Sequence, residues 1–101
     1  MSLLKSPCHP GEILKHEFLV PFGLSEGALA KLLDVPRTRI ERITKEVTGV
    51  SPDTAIRLAK FFKTTPEFWV NMQTNFDMSV AVNAVDVSHI EPFEMPEAKV
   101  A

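Results

Sequence analysis

Apolar residues recur at helical spacing in five stretches of the chain, separated by short polar or proline-bearing connections, and nothing before residue 83 alternates as a strand would. The helix starts are legible. Ser25, Ser51 and Thr65 each stand where a hydroxyl can accept a hydrogen bond from an N–H of a first turn. Pro52 and Pro66 follow two of them, at the helical position where a missing N–H costs nothing. Leu24 and Leu29 flank Ser25 at the spacing of a hydrophobic staple. The pattern predicts helices over 10–19, 25–33, 36–45, 51–62 and 65–82, joined by connections of the length usual between packed helices. The expected fold is all-α, a compact five-helix domain over 9–82 with an N-terminal lead over 1–8 and a C-terminal extension over 83–101.

Residues 26–45 fit a helix-turn-helix. Leu29 and Leu33 on the first helix can face Ile40 and Ile43 on the second, with Val35 closing the corner and the small Ala30 letting the helices approach. At the corner, where glycine is usual, stands Asp34, one of the few other residues that visit the left-handed region with any frequency. With Ile40 and Ile43 turned inward, Arg37, Thr38, Glu41, Arg42 and Lys45 fall on the outer surface and Arg39 on its edge. An arginine fork can grip guanine O6 and N7 or a pair of phosphate oxygens, and Lys45 can neutralise phosphate as a point charge. Glu41 can accept from cytosine N4 or orient its cationic neighbours. The other reading of the same face is a solvated one, with Arg37–Glu41 and Glu41–Lys45 pairing at i,i+4.

Charge changes this picture moderately. The 101 residues carry a formal net charge of -2, but residues 24–63 hold eight basic side chains against five acidic ones, while from residue 64 onward six acids face Lys99 alone. A mildly basic middle thus precedes an acidic tail. Few phosphates would be neutralised per subunit, so a dimer on a two-fold site is the natural arrangement for DNA binding. One cysteine, Cys8, excludes an intramolecular disulfide. No run approaches the roughly 20 apolar residues of a membrane span, and the first residues lack a signal-peptide core, so a soluble, cytoplasmic protein without a membrane partner is expected.

Candidate chemistry is sparse. Cys8, His9, His16 and His89 lack metal-ligand spacing, no Gly-rich phosphate loop or nucleophile elbow is present, and Glu12 and Glu17 lie on different helix faces. The expectation is no metal, no cofactor and no enzymatic activity. On the fifth helix Phe68, Met72 and Phe76 form an apolar stripe beside Trp69, which reads either as core or, for Trp69, Phe76 and Met78, as a dimer contact. Beyond it residues 84–90 alternate in part. Val85, Val87 and Ile90 there fit either a frayed tail or an arm or edge strand that orders on a partner chain, with Val85 and Val87 as further dimer candidates.

Four ordered motifs carry a family resemblance: His9-Pro10-Gly11-Glu12-Ile13-Leu14, Val35-Pro36-Arg37-Thr38-Arg39-Ile40, Asp53-Thr54-Ala55-Ile56-Arg57-Leu58-Ala59-Lys60-Phe61-Phe62, and Thr64-Thr65-Pro66-Glu67-Phe68-Trp69-Val70-Asn71-Met72-Gln73. Over about residues 9–78 the chain resembles the HigA/VapI group of antitoxins, a branch of the lambda-repressor-like (XRE) helix-turn-helix proteins. The resemblance implies a five-helix homodimer that binds a palindromic operator in its own promoter and neutralises a RelE-like messenger-RNA endonuclease toxin of the HigB type. It also implies that Arg37, Thr38, Arg39 and Arg42 read DNA, with Ser25 and Lys45 as phosphate contacts. The loop after the recognition helix, Lys45-Glu46-Val47-Thr48-Gly49, is less basic than is usual in the group.

Overall fold

The computed structural model describes residues 7–95, and among these there are five helices and no strand. Helix α1 starts as an α-helix over Pro10–Ile13 and continues with π-helical geometry over Leu14–Leu19; α2 spans Glu26–Leu33, α3 Arg37–Thr44, α4 Pro52–Phe62 and α5 Pro66–Ala84. The expected starts hold: Ser25 Oγ accepts from the Ala28 N–H at 3.1 Å, Ser51 Oγ from Thr54 at 3.3 Å and Thr65 Oγ1 from Phe68 at 3.1 Å. A fourth cap was not anticipated. His9 Nδ1 accepts from the Gly11 N–H at 2.9 Å and so opens α1.

Asp34 ends α2 in the left-handed conformation (φ 60°), as the corner requires, and Lys63 ends α4 in the same way (φ 61°). The sequence marks the first through a residue type that tolerates the conformation; lysine gives no such signal. At the other side of the domain α1 and α3 approach so closely that a Cβ on Gly11 would collide with the Ile43 carbonyl oxygen.

Leu14, Leu29, Ile40, Ile43, Leu58 and Trp69 are fully buried and form the centre of one core, to which Leu33 also belongs. The facing pairs expected of a helix-turn-helix are therefore all inside. Trp69 corrects an expectation. Rather than lying at a surface for dimer contact, it is enclosed by its own chain, where its indole N–H donates to Thr64 Oγ1 at 2.9 Å and Phe18 packs on it at 5.3 Å between ring centroids. An indole needs a partner for its N–H when buried, and the hydroxyl five residues earlier supplies it.

Helix α5 runs two residues past the expected Val82, and residues 85–95 beyond it lie open to solvent, with a tight turn in which Ser88 N–H and Oγ–H both donate to Asp86 Oδ1. The alternation at 84–90 thus takes no strand. Residues 1–6 of the N-terminal lead and 96–101 of the tail lie outside the described residues. No helix among the described residues is long and apolar enough to cross a membrane.

Candidate nucleic-acid interface

The exposed face of α3 is set by what its other face must bury. Ile40, Ile43 and Thr44 point inward, which leaves Arg37, Thr38, Arg42 and Lys45 exposed and Arg39 partly so. Pro36 supplies the N-cap without a side-chain bond, so the N–H groups of the first turn receive no side-chain cap there. That end of a helix favours anions, through its free donors and its dipole.

The cations of this face are not equivalent. Arg37 Nε donates to Glu41 Oε2 at 2.7 Å, the i,i+4 pair expected of a solvated helix face, yet the arginine side chain remains 72% exposed. Glu41 pairs only with Arg37 among the described residues. Arg42 and Lys45 form no ion pair there and are the least restrained positive charges on the helix. Thr38 is exposed in the first turn. Ser25, at the start of α2, is exposed as well, and because its oxygen accepts from Ala28 its hydroxyl proton is available to donate outward.

Arg39 is held differently from the other three. Its NH1 donates to Asp53 Oδ1 at 2.7 Å, and the same oxygen accepts from Arg57 Nε at 2.8 Å. Arg57 NH1 in turn donates to the Leu33 carbonyl at 2.8 Å, in the corner between α2 and α3. The hydrogen bonds from Arg57 and then Arg39 hold the Asp53 carboxyl below the usual carboxylate range. Sequence reasoning counted Asp53 and Arg57 as charges and as members of a family motif, with no role at the site. Their i,i+4 spacing was visible, but nothing local joins either of them to Arg39.

Two acidic residues that sit awkwardly beside DNA have internal partners. Glu26 Oε2 accepts from the Thr44 hydroxyl, linking the start of α2 to the end of α3, and Glu41 is engaged by Arg37. The loop after α3 folds back on the helix: the Val47 and Thr48 N–H groups donate to the Arg42 carbonyl at 2.8 and 3.2 Å, with Glu46 in the left-handed conformation (φ 61°) between.

The dimer candidates separate into two environments. Phe76 is half-buried, edge-on to His9 at 4.9 Å, whereas Met78, Val85 and Val87 are exposed and line one shallow apolar groove with Ala81 and Val82 at the end of α5. No three His, Cys, Asp or Glu side chains among the described residues converge as a metal site would.

Comparison with known proteins identifies the family. The helix-turn-helix family model matches residues 16–69. Virulence-associated protein I of Dichelobacter nodosus is 49% identical over 73 residues, 72% of this chain and 68% of that protein. Antitoxin HigA-1 of Vibrio cholerae is 38% identical over 74 residues, covering 73% and 70% of the two chains. Among solved structures, the Pseudomonas aeruginosa antitoxin HigA with the higBA promoter superposes with a TM-score of 0.80 at 42% identity, over 87% of this chain and 99% of that one. The chain belongs to the helix-turn-helix family, in the XRE-type group that includes the HigA antitoxins.

Proposed function

We propose that this chain is the antitoxin of a toxin-antitoxin module: as a homodimer it binds a palindromic operator, represses its own operon and neutralises a HigB-like messenger-RNA endonuclease. The observation that carries the DNA half is the outward face of α3, where Arg42 and Lys45 stand without ion-pair partners among the described residues, beside Thr38 and the half-committed Arg37. The likeness to an antitoxin HigA solved with its promoter supports the same reading. In this arrangement α3 enters the major groove, Arg37, Thr38, Arg39 and Arg42 address base edges, and Lys45 and Ser25 hold phosphates. Two subunits place their recognition helices in successive grooves about 34 Å apart. The exposed groove of Met78, Val82, Val85 and Val87 supports a second copy as the occupant, since an apolar patch at the end of a projecting helix is otherwise a solubility cost.

Toxin neutralisation rests on the family and not on a surface identified in this chain. The experiment is co-purification of the tagged chain with its untagged operon neighbour, followed by binding of the complex and of the chain alone to the promoter. A small partner whose expression alone arrests growth supports the antitoxin. A homodimer that binds the promoter without such a partner makes the chain a stand-alone regulator, and salt-insensitive or absent promoter binding makes it an interaction module that keeps only the fold.

A further inference from the structure

We propose that Asp53 is a positioning residue for operator reading, fixing the Arg39 guanidinium relative to the helix-turn-helix corner so that one edge of its fork is presented to DNA. The inference rests on the DNA-binding reading above and gives a role to a residue of α4 outside the recognition helix. Asp53 Oδ1 takes one bond from Arg39 NH1 (2.7 Å) and one from Arg57 Nε (2.8 Å), and Arg57 NH1 is itself anchored on the Leu33 carbonyl (2.8 Å). The recognition-helix arginine is thereby tied through two side chains to the main chain of the turn. Isolated surface ion pairs seldom hold a side chain in one place, but a carboxylate shared by two arginines, one of them bonded to backbone, forms a network.

The geometry leaves Arg39 a usable fork. NH1 is spent on Asp53, while Nε–H and the N–H of NH2 on the opposite edge have no partner among the described residues. Those two parallel donors match the paired acceptors of guanine or of a phosphate. A carboxylate at a DNA-binding surface repels phosphate, so it lowers general affinity. The same carboxylate removes the rotamer freedom that Arg39 would otherwise lose on reading a base. Asp53 therefore favours the correct sequence over any sequence. Because the two arginines hold its carboxyl below the usual range, the arrangement is charged at neutral pH.

The test uses the full chain with Asp53→Asn, and fluorescence anisotropy on the chain's own promoter and on a scrambled duplex across a salt series. The expected result is a roughly tenfold fall in the ratio of specific to non-specific affinity, and a salt dependence steeper by about one unit as a released guanidinium turns to phosphate. Asp53→Glu should recover part of the ratio, and in an Arg39→Ala background Asp53→Asn should change the ratio no further. An unchanged ratio overturns the proposal, as does an equal loss on both duplexes accompanied by a lowered melting temperature, which is what a merely structural residue would give. Failure of the underlying DNA reading is separately visible, because the unsubstituted chain would then show no preference for its promoter, and both readings would fall together.

Discussion

Gln73, near the middle of α5, accepts a hydrogen bond from the Val50 N–H at 2.7 Å, and its amide also donates to Asp77 at 3.0 Å. A single side chain thus latches the loop that follows the recognition helix onto the longest helix of the domain. Gly49 sits beneath it, and a Cβ there would press into the Gln73 amide. Gln73→Ala leaves the Val50 N–H, in a partly buried setting, without its acceptor, and the expected loss is about 1–3 kcal/mol. Thermal or urea unfolding measures it. Gln73→Glu keeps an acceptor oxygen for Val50 and should lose less than the alanine variant.

How much of this was legible depends on the range of each interaction. The caps at Ser25, Ser51 and Thr65 and the left-handed Asp34 are decided within three or four residues, and the sequence announces them. The buried faces of α2 and α3 follow from the helical period, which is equally local. Trp69 was ambiguous because an apolar stripe has two sides, and only the enclosure by Phe18 and the bond to Thr64 place the indole in the core. The Arg39–Asp53–Arg57–Leu33 chain spans separations of 14 and 24 residues and rests on how α4 crosses the corner, which no periodicity encodes. The π-helical turn Leu14–Leu19 had no local sign either.

Gly11 tests the packing that holds α3 from behind. Its missing Cβ lets α1 lie against the Ile43 carbonyl, so Gly11→Ala must push α1 away from the recognition helix. The expected cost is about 1–3 kcal/mol, typical of overpacking in a closed site. Gly23, in the loop between α1 and α2, has φ 62° but open space around it, so Gly23→Asn, which tolerates that conformation, should change stability far less.

On α3 the difference between restrained and free cations yields distinct signatures. Arg42→Ala should weaken operator binding by about 1–3 kcal/mol and relax sequence preference if the side chain reaches a base edge. Lys45→Ala should weaken binding to all sequences alike and lower the salt slope by about one unit, as expected for a phosphate contact. Glu41→Ala releases Arg37 and removes a negative charge, and should therefore raise non-specific affinity. Anisotropy titrations at several salt concentrations separate the three.

The Asp53 network also has a defined pH behaviour. Hydrogen bonds from Arg57 and then Arg39 depress the folded-state pKa, so the unfolded chain binds a proton more readily than the folded one does. Whatever the network contributes is fully present above the ordinary aspartate pKa of 3.8 and disappears as pH falls through the lower folded value. The difference in melting temperature between the unsubstituted chain and Asp53→Asn should be constant between about pH 5 and 8 and shrink below pH 4. A difference that titrated near neutrality would point to another group.

The end of α5 carries the prediction on assembly. Val85 and Val87 are 61% and 58% exposed, and Met78 is 45% exposed on the same groove, an apolar surface that the described residues leave uncovered. If a second copy covers it, Val85→Asp with Val87→Asp places two carboxylates in the contact, and sedimentation equilibrium should show a monomer where the unsubstituted chain is a dimer. The monomer keeps its core, because neither valine belongs to the buried cluster around Trp69. Its melting curve should therefore still show cooperative unfolding. Affinity for a palindromic promoter should fall by about 10²-fold, since the second recognition helix no longer binds at the effective concentration set by the first, while affinity for a single half-site should be unaltered. Equal losses on both sites would place the valines in the DNA contact itself and leave the covering of this groove to some other partner.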